Sequence, residues 1–276
     1  MKSAARAFLG LVACFTGTLA AAHDSDLLII RHRHLPIIIS APHGGALDLP
    51  GAKPRQGEGK ATGPAGFRAT RDTGTEELAH LVVQAIDDRM EGAPSCVISR
   101  VHRKFVDFNR PAEIGTEELE AKKLHDLYHQ TLRDTIREIR ETHGFGLLID
   151  IHGQGLSAKT VYRGTSNGLT VQGLTARKGN EAITGPESLA GLLRENGWHV
   201  HPDPLNGKEQ AGYTGGFIVR SYGSHRADGI ECVQLEFGSD YRSKQNRARI
   251  AEELAQAVEQ YSKLYLEVAE PAGAKQ

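Results

Sequence analysis

Hydrophobic positions recur at two different periods along the chain, and each period predicts one type of element. Short runs rich in β-branched residues indicate strands, and they cover Leu27–His32, Leu35–Ser40, Ser95–Val101, Gly146–Ile151 and Glu231–Phe237. Apolar residues at three- and four-residue spacing indicate helices, and they cover Thr75–Met90, Thr116–Thr142, Glu187–Glu195 and Arg247–Leu266. Because strands alternate with helices, the pattern predicts a single α/β domain whose mixed, mostly parallel sheet is flanked by helices.

The ends of these elements carry further local signals. Phe105–Phe108 is a candidate extension of the third strand, Asp72 or Thr73 is placed to cap the first helix, and Thr116 is placed to cap the long one. Residues 42–70 are dominated by Gly, Pro, Ala and charged residues without periodicity. A loop of that length in a compact domain is usually functional or mobile.

The first 22 residues have the pattern of a cleavable signal peptide. Lys2 and Arg6 precede an apolar run, and small residues stand directly before His23. We therefore expect a mature domain over 23–269, secreted or periplasmic, and a disordered tail over 270–276. A lipoprotein processing box ending at Cys14 is the alternative, but the apolar run continues well past Cys14, which favours simple cleavage.

The charge and cysteine content of the chain limit the partners and the disulfide bonds that we expect. The chain has 33 Lys and Arg against 34 Asp and Glu, so we expect no nucleic-acid or anionic-membrane partner. No segment after the signal is apolar enough for a transmembrane helix. Cys96 and Cys232 can form a disulfide or remain two buried thiols, and no pattern indicates an oligomeric state.

Two histidines and a carboxylate stand where predicted elements meet. His43 follows the second strand, His152 ends the fourth, and Asp72 stands at a helix start. Ligand sites of open α/β sheets lie beyond the carboxyl ends of strands, so we expect these side chains to share one crevice. Two histidines and a carboxylate with an open fourth position are typical of catalytic zinc. Asp150 shares a strand face with His152 and suits a supporting carboxylate. Taken alone, Asp72 has a simpler interpretation as a helix cap.

Several motifs, in this order and spacing, resemble those of the N-formylglutamate amidohydrolases over most of the mature chain. They are Ser40-Ala-Pro-His43-Gly, Asp72-Thr-Gly-Thr-Glu76-Glu-Leu-Ala, Arg103-Lys-Phe-Val-Asp107-Phe-Asn109-Arg110-Pro and Asp150-Ile-His152. Other stretches are similar to the zinc carboxypeptidases: Asp107-Phe-Asn109-Arg110, Thr214-Gly-Gly-Phe-Ile-Val-Arg-Ser-Tyr222 and Leu235-Glu236-Phe237. The resemblance implies a zinc carboxypeptidase-like fold and a zinc-dependent amidohydrolase.

The resemblance also implies a metal site and a base. His43, Asp72 and His152 correspond to the Zn²⁺ ligands, and Glu236 corresponds to the general base. Carboxypeptidases place the acidic ligand three residues after the first histidine, and that position is Ala46 here. The ligand must then come from beyond the long loop. Asp72 is preferred, and Glu76, one helical turn further on, is the competing candidate.

The remaining implied roles concern the substrate. Asp107 would orient His43, and Arg103 would polarise the scissile carbonyl. Asn109 and Arg110 would hold a substrate carboxylate, and Arg220 would recognise a second one. The implied substrate is a small molecule or peptide with carboxylate groups, cleaved at an N-acyl or γ-glutamyl amide of an acidic residue. Export argues for a peptide, a cell-wall fragment or poly-γ-glutamate rather than an intracellular metabolite.

Two other interpretations fit parts of the same sequence. His125-Asp-Leu-Tyr-His129 imitates the zincin helix motif with Asp in place of Glu, although a solvated histidine pair is the expected fate of such residues on a charged helix. An exported zinc- or solute-binding protein of the same fold without catalysis is the non-enzymatic alternative. Such a protein has no need of Glu236.

Overall fold

The fold is built on one seven-stranded sheet in a computed structural model that describes residues 26–61, 63 and 66–266. The predicted signal peptide, Cys14 and the C-terminal tail lie outside these residues. The strands are β1 (Leu28–Arg31), β2 (Ile37–Ala41), β3 (Ser95–Ser99), β4 (Leu147–Gly153), β5 (Val161–Gly164), β6 (Val200–His201) and β7 (Glu231–Phe237). Their order across the sheet is β1-β3-β2-β4-β7-β5-β6.

Four central strands, β3, β2, β4 and β7, run parallel, while β1 and β5 pair antiparallel at the two sides. The single α/β domain with a mixed, mostly parallel sheet is therefore confirmed. The helices are α1 (Thr75–Arg89), α2 (Ala112–Gly115), α3 (Leu119–His143), α4 (Gln172–Lys178), α5 (Glu181–Thr184), α6 (Leu189–Glu195), α7 (Phe217–Tyr222) and α8 (Arg247–Tyr265). Among the described residues, no helix is both long and apolar enough to cross a bilayer.

The two faces of the sheet have different partners. Odd-numbered residues of β4, such as Ile149, belong to the core that α1 and α8 cover, whereas Leu148 belongs to the core beneath α3. Successive side chains of a strand point to opposite faces, so Asp150 and His152 lie on the same face as Leu148. They are nearer to the carboxyl end of the strand. The polar side chains of the strand ends therefore share the α3 side of the sheet.

Several local predictions were wrong. Phe105–Phe108 does not extend β3 but lies in an irregular, largely buried segment. Helix α3 begins at Leu119 rather than Thr116, and the Thr116 hydroxyl donates to the Ala112 carbonyl instead of capping α3. Helix α1 is preceded by Gly74 in the left-handed conformation, without a side-chain cap.

The two cysteines remain free thiols, so the disulfide alternative was wrong. Cys96 lies on β3 and Cys232 on β7, with β2 and β4 between these strands. Neighbouring strands lie about 4.8 Å apart, and a disulfide requires Cα atoms within about 7 Å. The two side chains also enter opposite cores, so no local movement joins them.

Candidate metal centre and active site

His43, Asp72 and His152 meet at the carboxyl ends of β2 and β4. His43 is the second residue after β2, His152 lies near the end of β4, and Asp72 arrives from the end of the long loop. Parallel pairing brings the two strand ends together, with Ser40 beside Asp150. A main-chain hydrogen bond also holds two of these residues together, because the Asp72 amide donates to the His43 carbonyl over 2.9 Å. Among the described residues, these three side chains form a group able to hold a metal ion, and they are called the metal group below.

The distances from Asp72 to the two histidines match those between ligands of a tetrahedral metal ion. Asp72 Oδ2 lies 3.4 Å from His43 Nδ1 and 3.3 Å from His152 Nδ1. A tetrahedral zinc with bonds of about 2.0–2.1 Å holds its ligand atoms roughly 3.3–3.4 Å apart. Within the described part of the chain, His43 Nδ1 is a buried ring nitrogen without a hydrogen-bond partner. An unpaired nitrogen at that position is what a metal ligand requires.

A carboxylate supports each imidazole from behind. Asp107 Oδ1 lies 2.7 Å from His43 Nε2, and Asp150 Oδ2 lies 2.8 Å from His152 Nε2. Such partners fix the Nε2–H tautomer and leave Nδ1 free to bind a metal. Ser40 donates to the other oxygen of Asp150 over 2.8 Å and thereby fixes that carboxylate in turn. The predicted pairing of Asp150 with His152 is confirmed.

Electrostatics at the centre favour positive charge. Burial opposes a charge on His152, yet Asp150 and Asp72 outweigh burial and hold the pKa of His152 well above its ordinary value. Burial likewise opposes ionisation of Asp72, but His152 and His43 hold its pKa below the ordinary range. Two imidazoles surrounded by three buried carboxylates form a site that a divalent cation fits.

Glu76, the competing acidic ligand, points elsewhere. Its carboxylate lies 3.5 Å from the Arg100 guanidinium and is not a member of the group. Gly44 explains why α1 begins so close to the centre, since a Cβ at position 44 would lie 2.1 Å from the Glu76 amide nitrogen. The turn after His43 is therefore packed directly against the start of α1, and Asp72 is the carboxylate that this packing brings to the histidines.

Glu236 lies beside the metal group on the neighbouring strand. Register pairs His152 of β4 with Glu236 of β7, and both side chains point to the α3 side. Gln234 donates to Glu236 Oε1 over 2.9 Å, which fixes the carboxylate. Burial raises the pKa of Glu236 to about 8, with Asp72 adding to the rise and His152 opposing it. Glu236 is not a solvated residue of an edge strand, because β7 is internal to the sheet and Glu236 is 8% exposed.

Arg103 joins the metal group to the segment that follows β3. Its Nε and Nη2 donate to Asp107 Oδ2 over 2.9 and 2.8 Å, and its Nη1 lies 3.9 Å from Asp72 Oδ1. Burial opposes ionisation of Asp107, but Arg103 and His43 hold its pKa well below the ordinary range. Asp107 is therefore a fixed anion between one histidine and one guanidinium.

Asn109 and Arg110 lie on the same segment, deeply engaged with the protein. Asn109 Oδ1 accepts from the Ile218 amide over 2.8 Å, and its Nδ2 lies 3.1 Å from His152 Nε2. Arg110 donates to the carbonyls of Gly66 and Asn109 over 2.9 and 2.7 Å. Both side chains are nearly buried, so the structure places them at the centre's edge rather than in open solvent.

Arg220 lies on α7, exposed, with Nε donating to the Gly216 carbonyl over 3.1 Å. Burial lowers the pKa of Arg110 against the pull of Asp107, and the charges of Arg103, Arg68 and Arg220 lower it further. The charges of these three guanidiniums therefore act on Arg110, and the four arginines are called the cationic cluster below. A Cβ at position 216 would lie 2.1 Å from Asn109 Nδ2, so glycine there lets α7 approach the Asn109 amide.

Several residues near the centre carried no signal in the sequence. Arg242 donates to the carbonyls of Phe237 and Gln154 over 3.1 Å each, and to that of Thr73, which is next to Asp72. Tyr213 stacks on Tyr162, with ring centroids 5.1 Å apart. Tyr162 pairs with Glu236 in the register of β5 and β7, so one ring of this stacked pair stands opposite the candidate base. Only long-range packing brings these residues to the site.

The zincin-like histidines of α3 are not arranged as ligands. His125 and His129 are each 4% exposed, so the expectation of a solvated pair was wrong. His125 Nε2 lies 2.9 Å from the Arg110 carbonyl, and His129 Nε2 lies 2.9 Å from the Phe108 carbonyl. Carbonyl oxygens accept hydrogen bonds, so each Nε2 carries a proton and faces main chain rather than a carboxylate.

Comparison with known proteins supports the architecture. No family model matches the chain, and no curated protein sequence matches it significantly. The fold is similar to the crystal structure of an N-formylglutamate amidohydrolase from Ralstonia eutropha, with a TM-score of 0.56 and 15% identity. That match covers 87% of this chain and 98% of the other. At this identity the similarity shows the fold.

Two weaker matches are to proteins of Clostridioides difficile. The CwlD amidase, solved in complex with the GerS lipoprotein, gives a TM-score of 0.31 at 10% identity over 83% of this chain and 98% of that one. Cwp6 gives 0.32 at 12% identity over 82% of this chain and 29% of that one.

Proposed function

We propose that the protein is an exported, zinc-dependent amidohydrolase that cleaves an N-acyl or γ-glutamyl amide of an acidic amino acid or peptide. The observation that carries this proposal is the meeting of His43, Asp72 and His152 beside a buried Glu236. Two buried imidazole nitrogens that face one carboxylate form a donor set suited to zinc, with a fourth position left for water. The fold neighbour named an N-formylglutamate amidohydrolase supports an amide-cleaving function.

The side chains of the site fit a zinc ion. His43, Asp72 and His152 would bind the ion, and Asp107 and Asp150 would keep the two imidazoles in the correct tautomer. A bound zinc ion lowers the pKa of water towards about 7 and stabilises the oxyanion that forms during amide hydrolysis.

Glu236 is the group that moves the proton. Its carboxylate accepts a proton from the attacking water and returns it to the departing amine nitrogen. It is 8% exposed and lies opposite His152 of the metal group in the pairing of β4 with β7, which is where a base for the attacking water is needed. Gln234 keeps the carboxylate in position through its amide. A pure zinc carrier has no use for a buried carboxylate at this position.

Arginines select the substrate. Arg103 is directed towards the centre and polarises the scissile carbonyl, while Asn109 and Arg110 hold the α-carboxylate. Arg220, whose charge acts on Arg110, recognises a second carboxylate on the substrate side chain. A cluster of guanidiniums at the edge of one site favours a substrate with more than one negative charge.

A substrate panel tests the proposal. The purified chain would be analysed for zinc and incubated with N-formyl- and N-acetyl-glutamate, the matching aspartate and glutamine compounds, and γ-glutamyl peptides. We expect about one zinc per chain and release of free amine from the acidic members, abolished by a chelator and restored by zinc. The Glu236→Gln variant is the matched control for contaminating hydrolases. Absence of amine release from every member by the zinc-loaded chain would contradict the enzymatic function.

A further inference from the structure

The histidine pair of α3 holds the main chain on both sides of Asn109. His129 Nε2 donates to the Phe108 carbonyl and His125 Nε2 donates to the Arg110 carbonyl, each over 2.9 Å. The two rings lie one helical turn apart, with centroids separated by 4.4 Å. A buried carbonyl needs a donor, and this segment receives both donors from side chains of one rigid helix.

Both rings are neutral in this arrangement. Burial lowers the pKa of His129 to about 3, and the neighbouring His125 lowers it further. With the proton on Nε2, His129 Nδ1 is an acceptor and lies 2.8 Å from the hydroxyl of Tyr222, which also donates to the His129 carbonyl over 3.2 Å. The pair is thus a fixed set of hydrogen-bond donors and acceptors.

The same pair also reaches α7, which carries Arg220. Tyr222 lies in the last turn of α7, and its hydroxyl contacts His129. The beginning of α7 is held by Asn109, whose Oδ1 accepts from the Ile218 amide over 2.8 Å. Both ends of α7 are therefore tied to the His125–His129 pair, one through Tyr222 and the other through the segment that carries Asn109 and Arg110.

We propose that His125 and His129 are positioning residues that fix the separation of Arg110 and Arg220, and thereby the length of the acidic side chain that the site accepts. This inference rests on the proposed function, because it assigns the two arginines to two substrate carboxylates. The two histidines are not members of the metal group. They act through the Phe108 and Arg110 carbonyls on one side and through Tyr222 on the other. A fixed separation distinguishes glutamate from aspartate, whose carboxylates differ in reach by one methylene.

The test compares N-formyl-glutamate with N-formyl-aspartate on zinc-loaded variants. We expect His129→Leu to keep its zinc and lower kcat/KM for the preferred substrate about 10- to 100-fold, since misplacement by about 1 Å has that effect. Its preference between the two substrates should shrink towards equality. Tyr222→Phe, which removes one hydroxyl, should lower the preference roughly two- to tenfold. His129→Gln, which keeps an amide N–H near the Nε2 position, should restore most of the kcat/KM lost in His129→Leu.

His143 supplies the matched control. It lies in the last turn of the same helix, and its Nε2 contacts the carbonyl of His34, away from the site. His143→Leu should leave the substrate preference unchanged. Hydrogen exchange of the segments 106–112 and 216–223 gives a second readout that needs no activity, and His129→Leu and Tyr222→Phe should both accelerate it.

The outcomes separate the two proposals. A wild-type chain that hydrolyses neither substrate contradicts the proposed function. Unchanged substrate preference and unchanged exchange in a folded Tyr222→Phe variant contradict the positioning role. Loss of zinc in His129→Gln would show that the pair is part of a metal site instead.

Discussion

Two pairs of buried histidines lie close together in this protein, and they have opposite chemical settings. His43 and His152 each place a carboxylate on Nε2 and direct Nδ1 towards a third carboxylate, Asp72. His125 and His129 each place a main-chain carbonyl on Nε2. A carboxylate strengthens an imidazole as a metal ligand, whereas a carbonyl uses the ring as a neutral donor. The partner atoms therefore decide the role, and the spacing of histidines in the sequence does not.

Replacing one histidine of each pair should give the largest difference, and the quantity that differs is the bound zinc. His152→Ala should lose bound zinc, because a site reduced to one histidine and one carboxylate holds the ion weakly. His125→Gln should keep about one zinc per chain. Elemental analysis after gel filtration measures both. Full zinc occupancy in His152→Ala would show that the pair of His43 and His152 does not hold the metal.

The next comparison concerns the carboxylate of Glu236. Glu236→Gln is nearly isosteric and can still accept from the Gln234 amide, so fold and zinc should be unchanged. Loss of proton transfer should lower kcat by about 10² to 10⁴. Steady-state kinetics on the best substrate of the panel measures this. A kcat within a few-fold of wild type would remove Glu236 as the base.

Asp72 and Glu76 provide a matched pair of carboxylates one helical turn apart. Asp72→Asn removes the charge that faces both Nδ1 atoms, and its zinc affinity should fall more than the roughly 10- to 100-fold typical of lost supporting carboxylates. Glu76→Gln breaks only the contact with Arg100, so its affinity should stay close to wild type. Competition with a chelating dye gives both constants. The reverse order would make Glu76 the ligand.

The two arginines of the cationic cluster should differ in selectivity. Arg220→Ala should lower kcat/KM for N-acyl-glutamate by roughly ten- to a hundredfold, the equivalent of about 1.5 to 3 kcal/mol for a charge-assisted bond. It should affect N-acyl-glutamine much less. Arg110→Ala should damage both substrates alike, because both keep the α-carboxylate. Equal hydrolysis of the two substrates by wild type would show that Arg220 does not select charge.

The smallest expected effect is the loss of stability on acidification that His129 of the α3 pair contributes. An unfolded His129 binds a proton below about pH 6.5, whereas the folded residue stays neutral down to about pH 3. The unfolded state therefore binds more protons between these values, and stability falls as the pH drops through them. At pH 5.5 this contribution amounts to about 1.4 kcal/mol.

Urea unfolding of wild type and His129→Gln at pH 7.5 and 5.5 measures that contribution. The two chains share every other titratable group, so the difference between their pH dependences isolates His129. Wild type should lose more stability on acidification than the variant. Equal losses would mean that His129 is protonated in the folded protein at pH 5.5.

The sequence predicted the architecture more fully than the site. Regular periodicity located the central strands and long helices, and Glu231–Phe237 matches the observed strand at both ends. The short strands Val161–Gly164 and Val200–His201 were missed because four and two residues are too few to show alternation. His125 was expected in solvent because the helix is rich in charge, and only the segment folded over that helix buries it.

The metal group has a consequence for the order of assembly. Its members stand at positions 43, 72 and 152, and the first and last meet only when β2 pairs with β4. Parallel pairing between distant segments is slow, because the intervening chain must be closed into a loop first. A zinc finger can fold around its ion because its ligands are near neighbours. Here a growing chain that ends before β4 lacks the last ligand, so capture of a metal ion would follow the pairing of β2 with β4 and would not nucleate it.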